Sequence, residues 1–180
     1  MNIVLVGFRG TGKSSVGELL AREIKWKFVD ADQYIEKRFG FMIAELFEKQ
    51  GESLFRMLES DVINELCRLD SHVIAAGGGA VLKYKNVKNL KRNGMVFLLE
   101  ADCDVIYQRI MKDDKAGKTR PRLTKKNMYD EIKSLMESRV PYYKQAADHT
   151  IDTSKSTPKD VVHKICEILR TKSIIPYTTD

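Results

Sequence analysis

The chain has 180 residues, 43% hydrophobic and 31% charged, with a formal net charge of +6, the balance of one soluble globular domain. No run approaches the roughly 20 apolar residues of a membrane span, and the first residues read as a core strand rather than a targeting segment. Cys67, Cys103 and Cys166 lack paired spacing, which predicts free thiols in a cytoplasmic protein. The positive charge admits two readings, nucleic-acid binding or a solvated surface with an anion-binding cleft. Among Lys83, Lys85, Lys88, Lys91 and Arg92 only Tyr84 is aromatic, not the alternating series a stacking platform requires, so the second is favoured and no nucleic-acid partner is expected.

An apolar strand over 2–6 leads into Gly7-Phe8-Arg9-Gly10-Thr11-Gly12-Lys13-Ser14-Ser15. This is the phosphate-loop pattern G-x-x-x-x-G-K-[ST]. Its glycines let successive N–H groups turn toward phosphate oxygens, Lys13 reaches the β- and γ-phosphates, and the Ser14 hydroxyl can ligate Mg²⁺. Val16, Leu19, Leu20, Glu23 and Ile24 keep helical spacing, so the loop opens a helix whose N-terminal dipole favours anions. The loop predicts binding of a nucleoside triphosphate.

A second strand, 27–29, runs into Asp30-Ala31-Asp32. Strand ends of an open α/β sheet face the ligand, so these acids point to Mg²⁺ and to an acceptor hydroxyl. The alternative for Asp32 is a helix cap before Gln33. Leu54, Leu58, Val62, Leu66 and Leu69 form a stripe of 3.6-residue period, predicting a long amphipathic helix. It carries Arg56, with Glu59 one turn on at i+3, suited to hold the guanidinium. A third strand over 72–76 ends in Gly77-Gly78-Gly79, costly in entropy unless a ligand approaches the backbone closely.

A fourth strand over 95–99 is followed by a helix through Val105, Ile106, Arg109 and Ile110, entered at Asp102. Residues 112–126 are nearly all charged or flexible and read as a mobile lid carrying Arg120 over the phosphates. Arg139, beside Val140-Pro141, joins Arg56 and Arg120 as a fork for carboxylate or phosphate. A fifth strand over 149–152 precedes a helix capped by Thr157, with Pro158 first and Asp160 in the first turn. The polar segment 171–180 reads as a flexible tail. Strands alternating with helical patterns predict a parallel sheet wrapped by helices, in one domain spanning 1–180.

Taken together, these motifs resemble the shikimate kinase family within the P-loop small-molecule kinases. The resemblance runs from Gly7 to Pro158 through the phosphate loop, Asp30-x-Asp32, Gly51 with Phe55-Arg56-x-x-Glu59, Gly77-Gly78-Gly79, Arg120-Pro121 and Arg139-x-Pro141-x-Tyr143. It implies a three-layer α/β P-loop kinase fold whose five parallel strands run in the order 2-3-1-4-5, with an acceptor-binding segment at about 31–60. It implies ATP-dependent phosphorylation of the 3-hydroxyl of shikimate, with Mg²⁺; separately, the small size of the chain and the lack of an obvious apolar patch predict a monomer.

By that resemblance Lys13, Asp32 and Arg120 are catalytic. Gly10, Thr11, Gly12, Lys13, Ser14, Ser15 and Arg120 bind ATP, and Ser14 with Asp30 holds the metal. Asp32, Arg56, Gly77, Gly78, Gly79 and Arg139 bind shikimate, against an apolar wall of Phe47 and Phe55. The sequence departs from the family at Arg122, where the lid usually carries leucine, and at Ser156, where relatives often carry arginine. A gluconate-type or nucleoside monophosphate kinase would share the ATP half, and a non-catalytic nucleotide-binding relative would keep the loop alone.

Overall fold

The computed structural model describes residues 1–115 and 128–176. Strand β1 (Asn2–Val6) runs through the phosphate loop into helix α1 (Lys13–Glu23), followed by β2 (Lys27–Asp30) and α2 (Ala31–Phe39). Helix α3 (Ile43–Leu66) is bent at Gly51, whose φ of 81° breaks the helical backbone. Strand β3 (His72–Ala75) passes through a short 3₁₀ turn, Ala80–Leu82, to α4 (Tyr84–Arg92). Then come β4 (Gly94–Glu100), α5 (Cys103–Lys115), α6 (Met128–Ala146), β5 (His149–Asp152) and α7 (Pro158–Thr171).

The strands form one five-stranded sheet in the order β2-β3-β1-β4-β5, every pair parallel. Both faces of such a sheet are covered, so its inner strands β3, β1 and β4 are mostly apolar and buried, while the edge strands β2 and β5 carry polar residues and are only partly buried. All of Asn2–Val6 is buried, and the period of two divides it between the layers. Ile3 and Leu5 pack with Val16, Leu20, Ile165 and Leu169 of α1 and α7, while Val4 and Val6 pack with Leu90, Ile106, Ile110 and Ile132 of α4, α5 and α6. A third cluster, around Ile35, Leu46, Phe55 and Val62, ties α2 and α3 to the β2–β3 edge. Each such aliphatic side chain contributes about 1.5–3 kcal/mol by leaving water.

Two helices are absent from the periodicity. Helix α4 buries only Asn86 and Leu90 among basic residues, leaving no stripe to read. Two of those cations hold the fold together: Lys83 Nζ donates to the Arg56 carbonyl at 3.0 Å and Lys91 Nζ to Asp148 Oδ1 at 2.7 Å. Helix α6 continues through Pro141, against the rule that proline ends a helix, because Ile132, Tyr143 and Ala146 are anchored in the core on both sides of it. Thr157 forms the expected capping box with Asp160. Past Arg170, Ile174 and Ile175 turn back onto the α1–α7 layer, where the Ile174 N–H reaches the Leu169 carbonyl at 2.9 Å. Residues 112–115, counted above with the lid, are the last turn of α5, and the rest of that segment lies outside the described residues.

Candidate active site

The phosphate loop follows the central strand, where neighbours from two directions of the chain meet, the usual place for a ligand in an open α/β sheet. Gly10 and Gly12 take φ of 83° and 92°, left-handed conformations that a side chain resists. The Thr11 hydroxyl donates to the Phe8 carbonyl at 2.8 Å, and Lys13 Nζ donates to the carbonyls of Gly7 and Phe8 at 2.8 and 2.9 Å. Lys13 is thus folded over its own loop, above the N-terminus of α1. Ser14 Oγ donates to Asp30 Oδ2 at 2.6 Å.

Asp30 does two things at once. Its Oδ1 caps α2, accepting from the N–H groups of Asp32 at 3.0 Å and Gln33 at 3.3 Å, while Oδ2 meets Ser14. The cap is therefore Asp30 and not Asp32, since α2 starts at Ala31 and Asp30 keeps the extended backbone of the strand end. Asp32 instead lines the pocket and is buried there, only 6% exposed. Spacing along an extended strand is not what brings the acids together. The first turn of α2 does it.

On the acceptor side, Arg56 donates through Nη1 to Glu59 Oε2 at 2.8 Å, as its i+3 spacing predicts. Glu52, one turn earlier and missed in the sequence, also takes Nε and Nη2 at 3.0 and 2.9 Å. Glu59 is 1% exposed and its Oε1 has no hydrogen-bond partner. Burial pushes its carboxyl above the ordinary range although Arg56 pulls the other way, and the charge of Asp32 adds to the rise.

Two of the three glycines explain themselves by space. A Cβ on Gly77 would stand 2.6 Å from Glu59 Oε1 and 2.8 Å from Asp32 Oδ1, and one on Gly79 would run into the Arg56 guanidinium. Gly78 faces the other way, toward the Gly7 carbonyl and the Arg9 N–H. Its own carbonyl accepts from the Tyr143 hydroxyl and, at 3.5 Å, from Arg139 Nη1. Burial raises the Tyr143 phenol to about 12, so it remains a donor at neutral pH. Arg139 also lies over the Phe8 ring, 5.6 Å from its centroid. Phe55 is buried in the core, its ring 4.9 Å from that of Phe47.

The nucleotide side is a cleft lined by Gly10–Val16, Asp30 and Arg109 among others, with Asp32 and Ala76 lining it where the acceptor side begins. The structure brings together Gly10, Thr11, Gly12, Lys13, Ser14 and Ser15 with Asp30 and Asp32 on this cleft, and it gathers Arg56, Arg139 and Gly77–Gly79 at one turn beside them. Arg120 lies outside the described residues. Arg109 and Thr153 also line the cleft and were not assigned from sequence; the one available signal is that Thr153 directly follows a strand end. As a metal site, the Ser14 hydroxyl and Asp30 carboxylate make a sparse oxygen set beside the loop, and among the described residues no group of three or more His, Cys, Asp or Glu could hold an ion. Such a set suits Mg²⁺, which keeps its waters and takes phosphate oxygens as further ligands.

A phosphate loop at the head of a central parallel strand, facing a buried acid and two guanidinium groups, defines a P-loop kinase. Residues 9–170 match the family described as shikimate kinase. The chain is 45% identical over 164 residues to the shikimate kinase of Thermodesulfovibrio yellowstonii, covering 91% of this chain and 92% of that one. With the shikimate kinase of Caldanaerobacter subterraneus subsp. tengcongensis the identity is 43%, over 91% and 93% of the two chains. Among solved structures, shikimate kinase from Acinetobacter baumannii in complex with shikimate superposes with a TM-score of 0.89 at 35% identity, over 96% of this chain and 94% of that one. The chain belongs to the shikimate kinase family.

Proposed function

We infer that the chain transfers the terminal phosphoryl group of ATP to the 3-hydroxyl of shikimate, giving shikimate 3-phosphate and ADP, a step toward the aromatic amino acids. The observation that carries this reading is the meeting of Arg56, Arg139 and Asp32 around the Gly77–Gly79 turn, beside the phosphate loop. Two guanidinium groups suit the carboxylate of a compact acid. A bare glycine backbone suits a hydroxylated ring at close approach, and a buried carboxylate suits the hydroxyl that attacks.

In this mechanism Asp32 accepts a hydrogen bond from the 3-hydroxyl, orients it toward the γ-phosphorus and takes its proton as the new P–O bond forms. Arg56, braced by Glu52 and Glu59, and Arg139 grip the carboxylate and fix the ring. The backbone of Gly77–Gly79 lies along the ring hydroxyls. N–H groups of Gly10–Ser15 cradle the phosphates, and Lys13 leaves the carbonyls of Gly7 and Phe8 to meet the negative charge shifting onto ADP. Arg120 adds a second positive charge on the same group. Ser14 would hold Mg²⁺, with Asp30 close by through water; when bound, the ion neutralises phosphate charge.

The free thiols of Cys67, Cys103 and Cys166 fit a cytoplasmic setting. Among the described residues no helix is long and apolar enough to cross a membrane. The proposed reaction takes shikimate and ATP as its small-molecule substrates, and the small size of the chain suits a monomer. The test is an acceptor panel with purified protein, following ADP release. Turnover with shikimate, and little with gluconate or nucleoside monophosphates, is expected. Turnover of either rival with none of shikimate overturns the substrate.

A further inference from the structure

The back of the phosphate loop, away from the strand that leads into it, is gripped by two side chains from distant parts of the sequence. Arg109 on α5 donates through Nη1 to the Gly10 carbonyl and to Thr153 Oγ1, both at 3.2 Å, and through Nη2 to the Thr153 carbonyl at 2.8 Å. The Thr153 hydroxyl in turn reaches the Thr11 carbonyl at 3.2 Å and the Glu100 carbonyl at 3.1 Å. Thr153 and Thr11 are buried, 3% and 1% exposed. Thr153 is fixed by backbone as well, its N–H donating to the Glu100 carbonyl at 2.8 Å. The same helix also crowds the loop: a Cβ on Gly10 would meet the Ile106 carbonyl and Ile110 Cγ1, each at 3.4 Å.

In a trans peptide the C=O and the next N–H point in opposite directions. Holding the Thr11 carbonyl therefore sets the direction of the Gly12 N–H, and holding the Gly10 carbonyl fixes the Thr11 N–H, which donates to the Phe8 carbonyl at 3.4 Å and closes the turn of the loop. A glycine-rich loop has many other conformations available, and each costs anion affinity because the N–H groups no longer converge.

We propose that Thr153 and Arg109 are positioning residues that clamp the Gly10 and Thr11 carbonyls and so hold the phosphate loop in its anion-binding shape before nucleotide arrives. The clamp rests on the reading of this loop as the ATP phosphate site. It assigns Thr153 an effect on phosphate affinity although its hydroxyl is engaged with the protein. The hydroxyl has a single proton, so it accepts from Arg109 while donating to the carbonyls of Thr11 and Glu100 by turns.

Thr153→Val keeps the shape and removes the hydroxyl. Titration calorimetry of the full chain with inorganic tripolyphosphate, which has no base or ribose, should show affinity about tenfold weaker, the scale of one buried hydrogen bond lost with a carbonyl left unpaired. Thr153→Ser should restore it, and shikimate affinity should not change in either variant. Arg109→Lys, which keeps the charge but not the fork, should weaken tripolyphosphate in the same direction and covers the case in which Thr153→Val fails to fold.

Tripolyphosphate bound as in the wild type, with ADP alone weakened, would overturn the proposal and place Thr153 on the base side. Equal weakening of shikimate would also overturn it, as general damage to the fold. Failure of the underlying reading looks different: the wild-type chain itself would bind neither tripolyphosphate nor ADP.

Discussion

The nucleotide side of the cleft and its acceptor side are built at different ranges of the chain. Hydrogen bonds inside the phosphate loop span three to six residues, Thr11 to Phe8 and Lys13 to Gly7. Those at the triple-glycine turn span more than sixty, Arg139 and Tyr143 to Gly78. The loop's frame is braced separately, by Arg109 and Thr153 on the Gly10 and Thr11 carbonyls across 99 and 142 residues, so it can lose the Lys13 charge while that frame stands. The acceptor side has no such independence: Arg56, Glu59, Asp32 and Gly77 share one buried polar cluster, so binding and stability there are altered together.

The largest expected effect falls on the nucleotide side. Lys13→Ala should lower kcat by about 10²–10³-fold, removing charge stabilisation made in the transition state. Its melting temperature should stay near that of the wild type, because the bonds from Lys13 to the Gly7 and Phe8 carbonyls lie within its own loop and tie no distant element to it. A large drop in melting temperature would erase the contrast between the two sides.

Asp32→Asn comes next. It should cost about 10²-fold in kcat, the scale of general base catalysis, with ADP affinity unchanged by calorimetry. Loss of ADP affinity instead would move Asp32 to the nucleotide side. Arg139→Ala should raise KM for shikimate about tenfold or more, one charged hydrogen bond to the carboxylate being lost. An unchanged KM would remove Arg139 from the clamp.

The smallest effect sharpens the electrostatic half of the comparison. Burial raises the Glu59 carboxyl above its ordinary value of 4.5. The stability it contributes is then complete below that value and is lost as pH rises through the higher folded one. The melting temperature of the wild type relative to Glu59→Gln should fall as pH rises above about 4.5, by a few degrees at most for a domain of this size. A difference that grows with pH would mean that Arg56, rather than burial, governs Glu59.

Much of the frame was legible. Strand β1 and the loop announce themselves by an apolar run and a fixed pattern of glycines, and the capping box of α7 is a local signal that nothing overrides. The i+3 pairing of Arg56 with Glu59 follows from helix geometry. What failed to show is as instructive. Helix α6 hides behind Pro141, and α4 behind a run of lysines, because both are held by packing that no local pattern records. Asp30 was read as half of an acid pair when it is also the cap of α2. A carboxylate with two oxygens can serve both roles, and sequence spacing cannot show that.

By itself the sequence determined the chemistry available here: a phosphate loop, acids at a strand end, forked cations and a stretch of bare backbone. These depend on residue type and on short-range geometry, which survive without knowledge of the fold. Only the tertiary structure decided which groups meet. It set Gly77 between Asp32 and Glu59, Gly79 beneath Arg56, and Thr153 behind Thr11, because contacts between residues 18 to 142 positions apart are fixed by how helices close over the sheet.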